Sequence, residues 1–229
     1  MVLFLSKILS KRLSSRIKFF IWDVDGTLYQ STEEIFGQMC KLTIEFVVKS
    51  LKIDRGEVKN HIYQEIKNDR LLGDIVEDDY KLDRFELASL SEITIDKAKF
   101  VSRNDKLVKL FVKDINRFDH FILSNSSVKN IKKILKNIGL TTSIFNSIYS
   151  METLGKDLKP SLNAFKKVLS DNELNSREVL MIGDTLGQDL YPAKELGMTT
   201  CLISNDQEDR HYDKVDFILR NPLELNKII

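Results

Sequence analysis

The sequence predicts an α/β protein: a parallel sheet with helices on both faces, interrupted by an all-helical insert. Three observations predict it. Strand-like apolar runs alternate with amphipathic stretches of helical length through the second half of the chain. An earlier run, KFFIW (18–22), reads as a buried strand that ends abruptly in acids. Between Tyr29 and about Lys113 the alternation stops, and apolar residues recur at helical spacing only.

In chain order, residues 1–17 form a basic extension with no acid. It reads as a short helix or tail beside the first strand, or alternatively as an organellar presequence or a membrane-surface helix. After KFFIW, Ser31 with Glu34 suggests a capping box, and Ile35, Met39, Leu42 and Phe46 mark one helical stripe. Further helical patterns are expected near 55–68, 79–90 and 95–113. HFILS (120–124) is the second strand, and the helix after it carries Val128, Ile131, Ile134, Leu135 and Ile138 on one face, with Gly139 as its stop. SIFNSIYS (143–150) precedes a helix opened by Pro160. EVLMIG (178–183) and TTCLIS (199–204) complete at least five strands. The domain expectation is therefore 1–29 with 114–229 as the α/β core, and 30–113 as the helical insert.

Composition narrows the function classes. Lys and Arg number 35 against 34 Asp and Glu, a balance that gives no electrostatic footprint for nucleic acid. Nothing approaches the roughly 20 apolar residues of a membrane span. Cys40 and Cys201 lack the spacing of a zinc site or a disulfide framework and read as small buried hydrophobes. The reading is a cytoplasmic protein, organellar if residues 1–17 act as a presequence, and a monomer or homodimer.

In open parallel sheets ligands bind beyond the carboxyl ends of the strands. Those ends carry Asp23, Asp25, Gly26 and Thr27; then Ser124, Asn125 and Ser126; then Lys156 and Lys159; then Asp184 and Asp189. Carboxylates suit a hard divalent cation such as Mg2+, and the hydroxyl, amide and ammonium donors suit anionic phosphate oxygens. An EF-hand at Asp23, Asp25 and Glu34 is excluded, because its sixth position is Leu28 and a strand precedes it. A response-regulator receiver is excluded by motif order and by the helical insert. Trp22 reads as core, and His61, His120 and His211 lie outside these motifs.

DVDGT with Leu28-Tyr29, LSNS, KP opening a helix, and GDTLGQD resemble, in order and context, the four motifs of the haloacid dehalogenase-like (HAD) hydrolase superfamily. The resemblance is to its small-molecule phosphatases, near pyrimidine 5'-nucleotidases and phosphoglycolate phosphatases, and implies a Rossmann-like core with a helical cap domain. It implies Asp23 as nucleophile, forming an aspartyl phosphate, and Asp25 as general acid/base with a pKa lifted toward neutrality. Ser124, the Asn125 amide and Lys159 would bind the phosphoryl group, with Lys156 the alternative lysine. Asp23, the Asp25 main-chain carbonyl and Asp184 would hold Mg2+. Asp189 would orient the metal's waters or the lysine, or serve only as a helix N-cap. The chain departs from the family at Ser161-Leu162, where Asp-Pro is common, and this is expected to alter a helix start only. The implied activity is Mg2+-dependent hydrolysis of a small phosphorylated metabolite, with a nucleoside 5'-monophosphate as one candidate. A phosphomutase and a non-catalytic phosphate- or partner-binding protein stand as alternatives.

Overall fold

The computed structural model describes residues 16–68, 70–205 and 215–229. The basic stretch, apart from Arg16 and Ile17, and His211 lie outside the described residues. The chain divides into two compact units, one made of the segment up to Gln30 with Val101–Ile229, the other of Ser31–Phe100.

The Ser31–Phe100 unit is helical: α1 (Glu33–Leu51), α2 (Arg55–Lys67), α3 (Leu72–Asp78) and α4 (Arg84–Thr94). Its core is aliphatic, with Ile44, Val47, Val58, Ile62, Ile75, Val76 and Leu87 packed together. The α1 cap is Thr32, one residue beyond the expected Ser31; its hydroxyl accepts from the Ile35 amide at 3.3 Å. The helix expected over 79–90 is broken instead. Lys81 takes a positive φ, and the Asp83 carboxylate starts a new helix by accepting from the Phe85 amide.

The other unit is built on six parallel strands: β1 (Phe19–Trp22), β2 (Asp119–Leu123), β3 (Ser147–Tyr149), β4 (Val179–Gly183), β5 (Thr199–Ile203) and β6 (Phe217–Leu219). Their order, β3-β2-β1-β4-β5-β6, is that of a doubly wound, Rossmann-like sheet. β4 and β5 are buried along their whole length, which is why they read as unbroken apolar runs rather than alternating ones. Helices α5 (Asp105–Lys109), α6 (Val128–Ile138), α7 (Met151–Leu154), α8 (Leu162–Asp171) and α9 (Tyr191–Glu195) complete the unit. α6 follows the expected pattern: the Ser127 hydroxyl caps it, Ile131, Ile134, Leu135 and Ile138 are buried, and Gly139 ends it at φ 100°. Ser161, where the chain departs from the family, is the N-cap of α8.

Two sequence expectations shorten. Of 143–150 only Ser147–Tyr149 is strand, and the segment 95–113 breaks into a short turn of helix, α5 and a widened turn at Leu110–Asp114. Phe111 in that turn packs on Trp22, His120 and Phe145, so this stretch belongs to the core of the sheet unit. Trp22 is fully buried and donates its indole N–H to His120 Nδ1 at 3.2 Å, while His120 Nε2 lies 3.1 Å from the Ile115 carbonyl. Those contacts suit a neutral ring, and burial pushes the His120 pKa down to about 4. Cys40 and Cys201 are buried and free.

Candidate active site

The strand order reverses between β1 and β4, and the cleft where a doubly wound sheet takes ligands lies at such a reversal. Asp23 prolongs β1: its amide donates to the Ile182 carbonyl at 2.9 Å, continuing the ladder with β4. The chain then turns tightly, with the Leu28 amide on the Val24 carbonyl and Gly26 at φ 85°. Glycine is required there twice over. The positive φ is one that residues with a side chain rarely adopt, and a Cβ would stand 2.0 Å from Asp184 Oδ2. Gly183, which ends β4, is hemmed in likewise, since its Cβ would lie 2.5 Å from that of Asp189.

These close approaches gather the charged groups. Lys159, 2 % exposed, donates from Nζ to Asp23 Oδ1 at 2.7 Å and to Asp189 Oδ1 at 2.6 Å. Thr27 donates from its hydroxyl to Asp23 Oδ2 at 2.9 Å. Asp184 joins from the end of β4, and one oxygen each of Asp23, Asp184 and Asp189 all lie within 4.8 Å of one another. Asp189 also accepts from the Thr185 amide at 3.1 Å, so it pins the turn after β4 as well as the lysine.

Three carboxylates thus face one ammonium in a buried pocket of charge. Burial first, then Asp189 and Asp25, push Asp23 up to about 7 against the pull of Lys159. Burial, Asp23 and Asp189 push Asp184 up to about 8. Lys159 is held protonated well above its usual range: burial opposes the charge, and the Asp189 and Asp23 carboxylates outweigh it. The surplus of negative charge, on hard oxygen donors, fits a divalent cation of the Mg2+ class.

Ser124 continues β2 and is buried, its Oγ accepting from the Ser126 amide at 3.1 Å. Asn125 does something its sequence position did not announce. Its side chain brackets the Lys159 backbone, Nδ2 donating to the Lys159 carbonyl at 2.9 Å and Oδ1 accepting from the Lys159 amide at 2.8 Å. The loop that presents the lysine is therefore fixed to the end of β2. Asp25 is half-buried, and its carboxylate accepts from the Tyr29 and Ser126 hydroxyls. Lys156, the alternative lysine, is exposed. His61 pairs with Asp79 in the helical unit.

Residues 20–203 match the haloacid dehalogenase-like hydrolase family. The chain belongs to that family. Among curated relatives of this hydrolase is the glyceraldehyde 3-phosphate phosphatase of Methanocaldococcus jannaschii, 25% identical over 227 residues that span 93% of this chain and 97% of the relative. Similar solved structures include a HAD phosphatase from Thermococcus onnurineus, with TM-score 0.57 and 24% identity over 93% of this chain and 97% of that one. CbbY from Rhodobacter sphaeroides in complex with phosphate matches with TM-score 0.63 and 16% identity over 93% and 99% of the two chains. L-2-haloacid dehalogenase from Xanthobacter autotrophicus matches with TM-score 0.58 and 16% identity over 91% and 96%. These likenesses extend the shared fold across about nine-tenths of the HAD hydrolase chain. Among the described residues no helix is long and apolar enough to cross a membrane.

Proposed function

We propose that this HAD hydrolase is a Mg2+-dependent phosphomonoesterase acting on a small phosphorylated metabolite through an aspartyl-phosphate intermediate. The observation that carries the reading is the Lys159 bridge between Asp23 and Asp189, with Asp184 beside it, at the reversal point of the sheet. Asp23 would attack phosphorus in line, forming its Oδ–P bond as the ester P–O bond breaks. Asp25 would give its proton to the departing alkoxide. It would then take a proton from the water that attacks the aspartyl phosphate, freeing Asp23 and inorganic phosphate. Ser124 and the Asn125 amide would donate to the phosphoryl oxygens, and Lys159 would offset the charge that spreads over them in the transition state. Asp23, the Asp25 main-chain carbonyl and Asp184 are the groups that would hold Mg2+, whose charge would screen the phosphoryl oxygens from the incoming carboxylate. Asp189 would hold Lys159 in line from behind.

An acid at position 25 favours this chemistry over carbon–halogen cleavage, because a halide leaves without a proton. The helical unit Ser31–Phe100 is assigned as the family's substrate-selecting cap. The curated relative widens the substrate candidates to triose phosphates, beside the nucleoside monophosphates suggested by sequence.

The test is phosphate release by the purified chain from a panel holding glyceraldehyde 3-phosphate, nucleoside 5'-monophosphates and p-nitrophenyl phosphate. Turnover that needs Mg2+, stops with EDTA and falls at least about 10⁴-fold in Asp23→Asn is expected. Full activity in that variant, or turnover without a divalent cation, overturns the proposal.

A further inference from the structure

Asp25 is gripped at both carboxylate oxygens by hydroxyls from two different parts of the fold. Tyr29, four residues downstream on the same turn, donates to Oδ1, and an isolated backbone bridge joins the two residues. Ser126, 101 residues away, donates to Oδ2 at 2.6 Å. Ser126 is itself fixed: it is 1% exposed, its amide donates to Ser124 Oγ at 3.1 Å, and its carbonyl accepts from the Met151 amide at 3.0 Å. With its backbone pinned on both sides, a serine keeps one torsion to place its hydroxyl.

One donor would tether the Asp25 carboxylate and leave its plane free to swing. A donor on each oxygen sets that plane, one from the turn that carries Asp25 and one from the neighbouring strand end. A carboxylate offers about four lone-pair directions, so two hydroxyl contacts orient it without exhausting it. Hydroxyls can also both donate and accept, so neither contact has to break while a proton passes through the carboxyl.

We infer that Tyr29 and Ser126 are positioning residues that aim the Asp25 carboxyl at the leaving-group oxygen. The inference rests on the assignment of Asp25 as the proton-transfer group proposed above. Neither hydroxyl need touch the substrate; each acts through Asp25, and misdirection of a proton donor is felt most where the leaving group needs the proton most.

The experiment compares kcat for an alkyl phosphate, whose alkoxide leaves poorly without a proton, with kcat for p-nitrophenyl phosphate, whose phenolate leaves readily. In Tyr29→Phe and in Ser126→Ala the alkyl-to-aryl ratio is expected to fall about tenfold, a fraction of the roughly 10²- to 10⁴-fold that a general acid supplies. Ser126→Thr keeps the hydroxyl and should recover most of the ratio, which a packing defect would not allow, and it also carries the test if Ser126→Ala folds poorly. Asp25→Asn is the reference: it should collapse the ratio, and adding Tyr29→Phe to it should lower the ratio no further. If Asp25→Asn collapses the ratio while both single hydroxyl variants keep it, the positioning role is overturned and the Asp25 assignment survives. If Asp25→Asn leaves the ratio unchanged, the Asp25 assignment falls and the inference with it.

Discussion

Two ion clusters of the molecule, each gathering several acids on one cation, differ in kind. In the helical unit Arg70 pairs with Glu65, Asp78 and Asp79 at 2.8–3.2 Å, and His61 reaches Asp79 at 2.8 Å. In the sheet unit Lys159 pairs with Asp23 and Asp189 with both its side chain and theirs under one-tenth exposed, and Asp184 stands beside them. The first lies at the surface, its side chains 18–66% exposed, and there Arg70 holds the Asp79 carboxyl below its usual range despite some desolvation. The second is desolvated enough that Asp23 and Asp184 are pushed the other way, to about 7 and about 8. The contrast separates an ion network that ornaments a helical surface from one kept under electrostatic load. Burying like charges is costly, which makes the second cluster the candidate for chemistry.

The sharpest way to break that comparison is Lys159→Met, which removes the one ammonium from the buried cluster. A fall in kcat of about 10³-fold is expected, as for loss of a group that stabilises transition-state charge. A variant that keeps most of its turnover would reduce Lys159 to a structural counter-ion. Next is Gly26→Ala, whose new Cβ must displace Asp184 Oδ2 and strain a positive φ. Turnover should drop roughly 10²-fold, and the melting temperature should fall as well, since such strain costs on the order of 1 kcal/mol or more.

Cation binding sharpens the contrast through pH. Asp23 and Asp184 sit above the ordinary carboxylate value of 3.8, so in the same window the folded chain holds protons that the unfolded chain has lost. Their stabilising contribution is complete below about pH 4 and is lost as pH rises toward 7 and 8. A divalent cation competes with those protons, so the thermal upshift caused by Mg2+ should grow between pH 6 and pH 8.5. A pH-independent upshift would place the cation elsewhere. The smallest effect is expected for Arg70→Ala: its pairs lie at a partly solvated surface, and their loss should leave melting temperature and turnover nearly as they are.

What the sequence disclosed follows the same divide between short and long range. Asp23, Asp25 and Asp184 stand directly beyond apolar strands, so a strand-end rule finds them without knowledge of packing. The strand alternation likewise revealed the parallel sheet, because strands buried on both faces must be apolar throughout. β6 escaped notice because Phe217–Leu219 is only three residues long and follows no amphipathic helix in the described chain. The bracket of Asn125 around the Lys159 backbone spans 34 residues, and the contact of Ser126 with Asp25 spans 101. No local pattern encodes such pairings; they exist only once β1, β2 and the loop after β3 are side by side. Thr27 lay in plain sight within DGT, and its chemistry would have suggested the hydroxyl contact that it makes to Asp23.

The burial of Trp22 gives the molecule a built-in optical reporter. It is the chain's single tryptophan, and it directly precedes Asp23. Its indole N–H is committed to His120, which titrates near 4 and so stays in one form across the neutral range. Intrinsic emission near neutral pH therefore reads the end of β1 with no competing signal from another indole. A change in that emission on adding Mg2+ or phosphate is the outcome expected if Asp23 is loaded, read without a dye or a label.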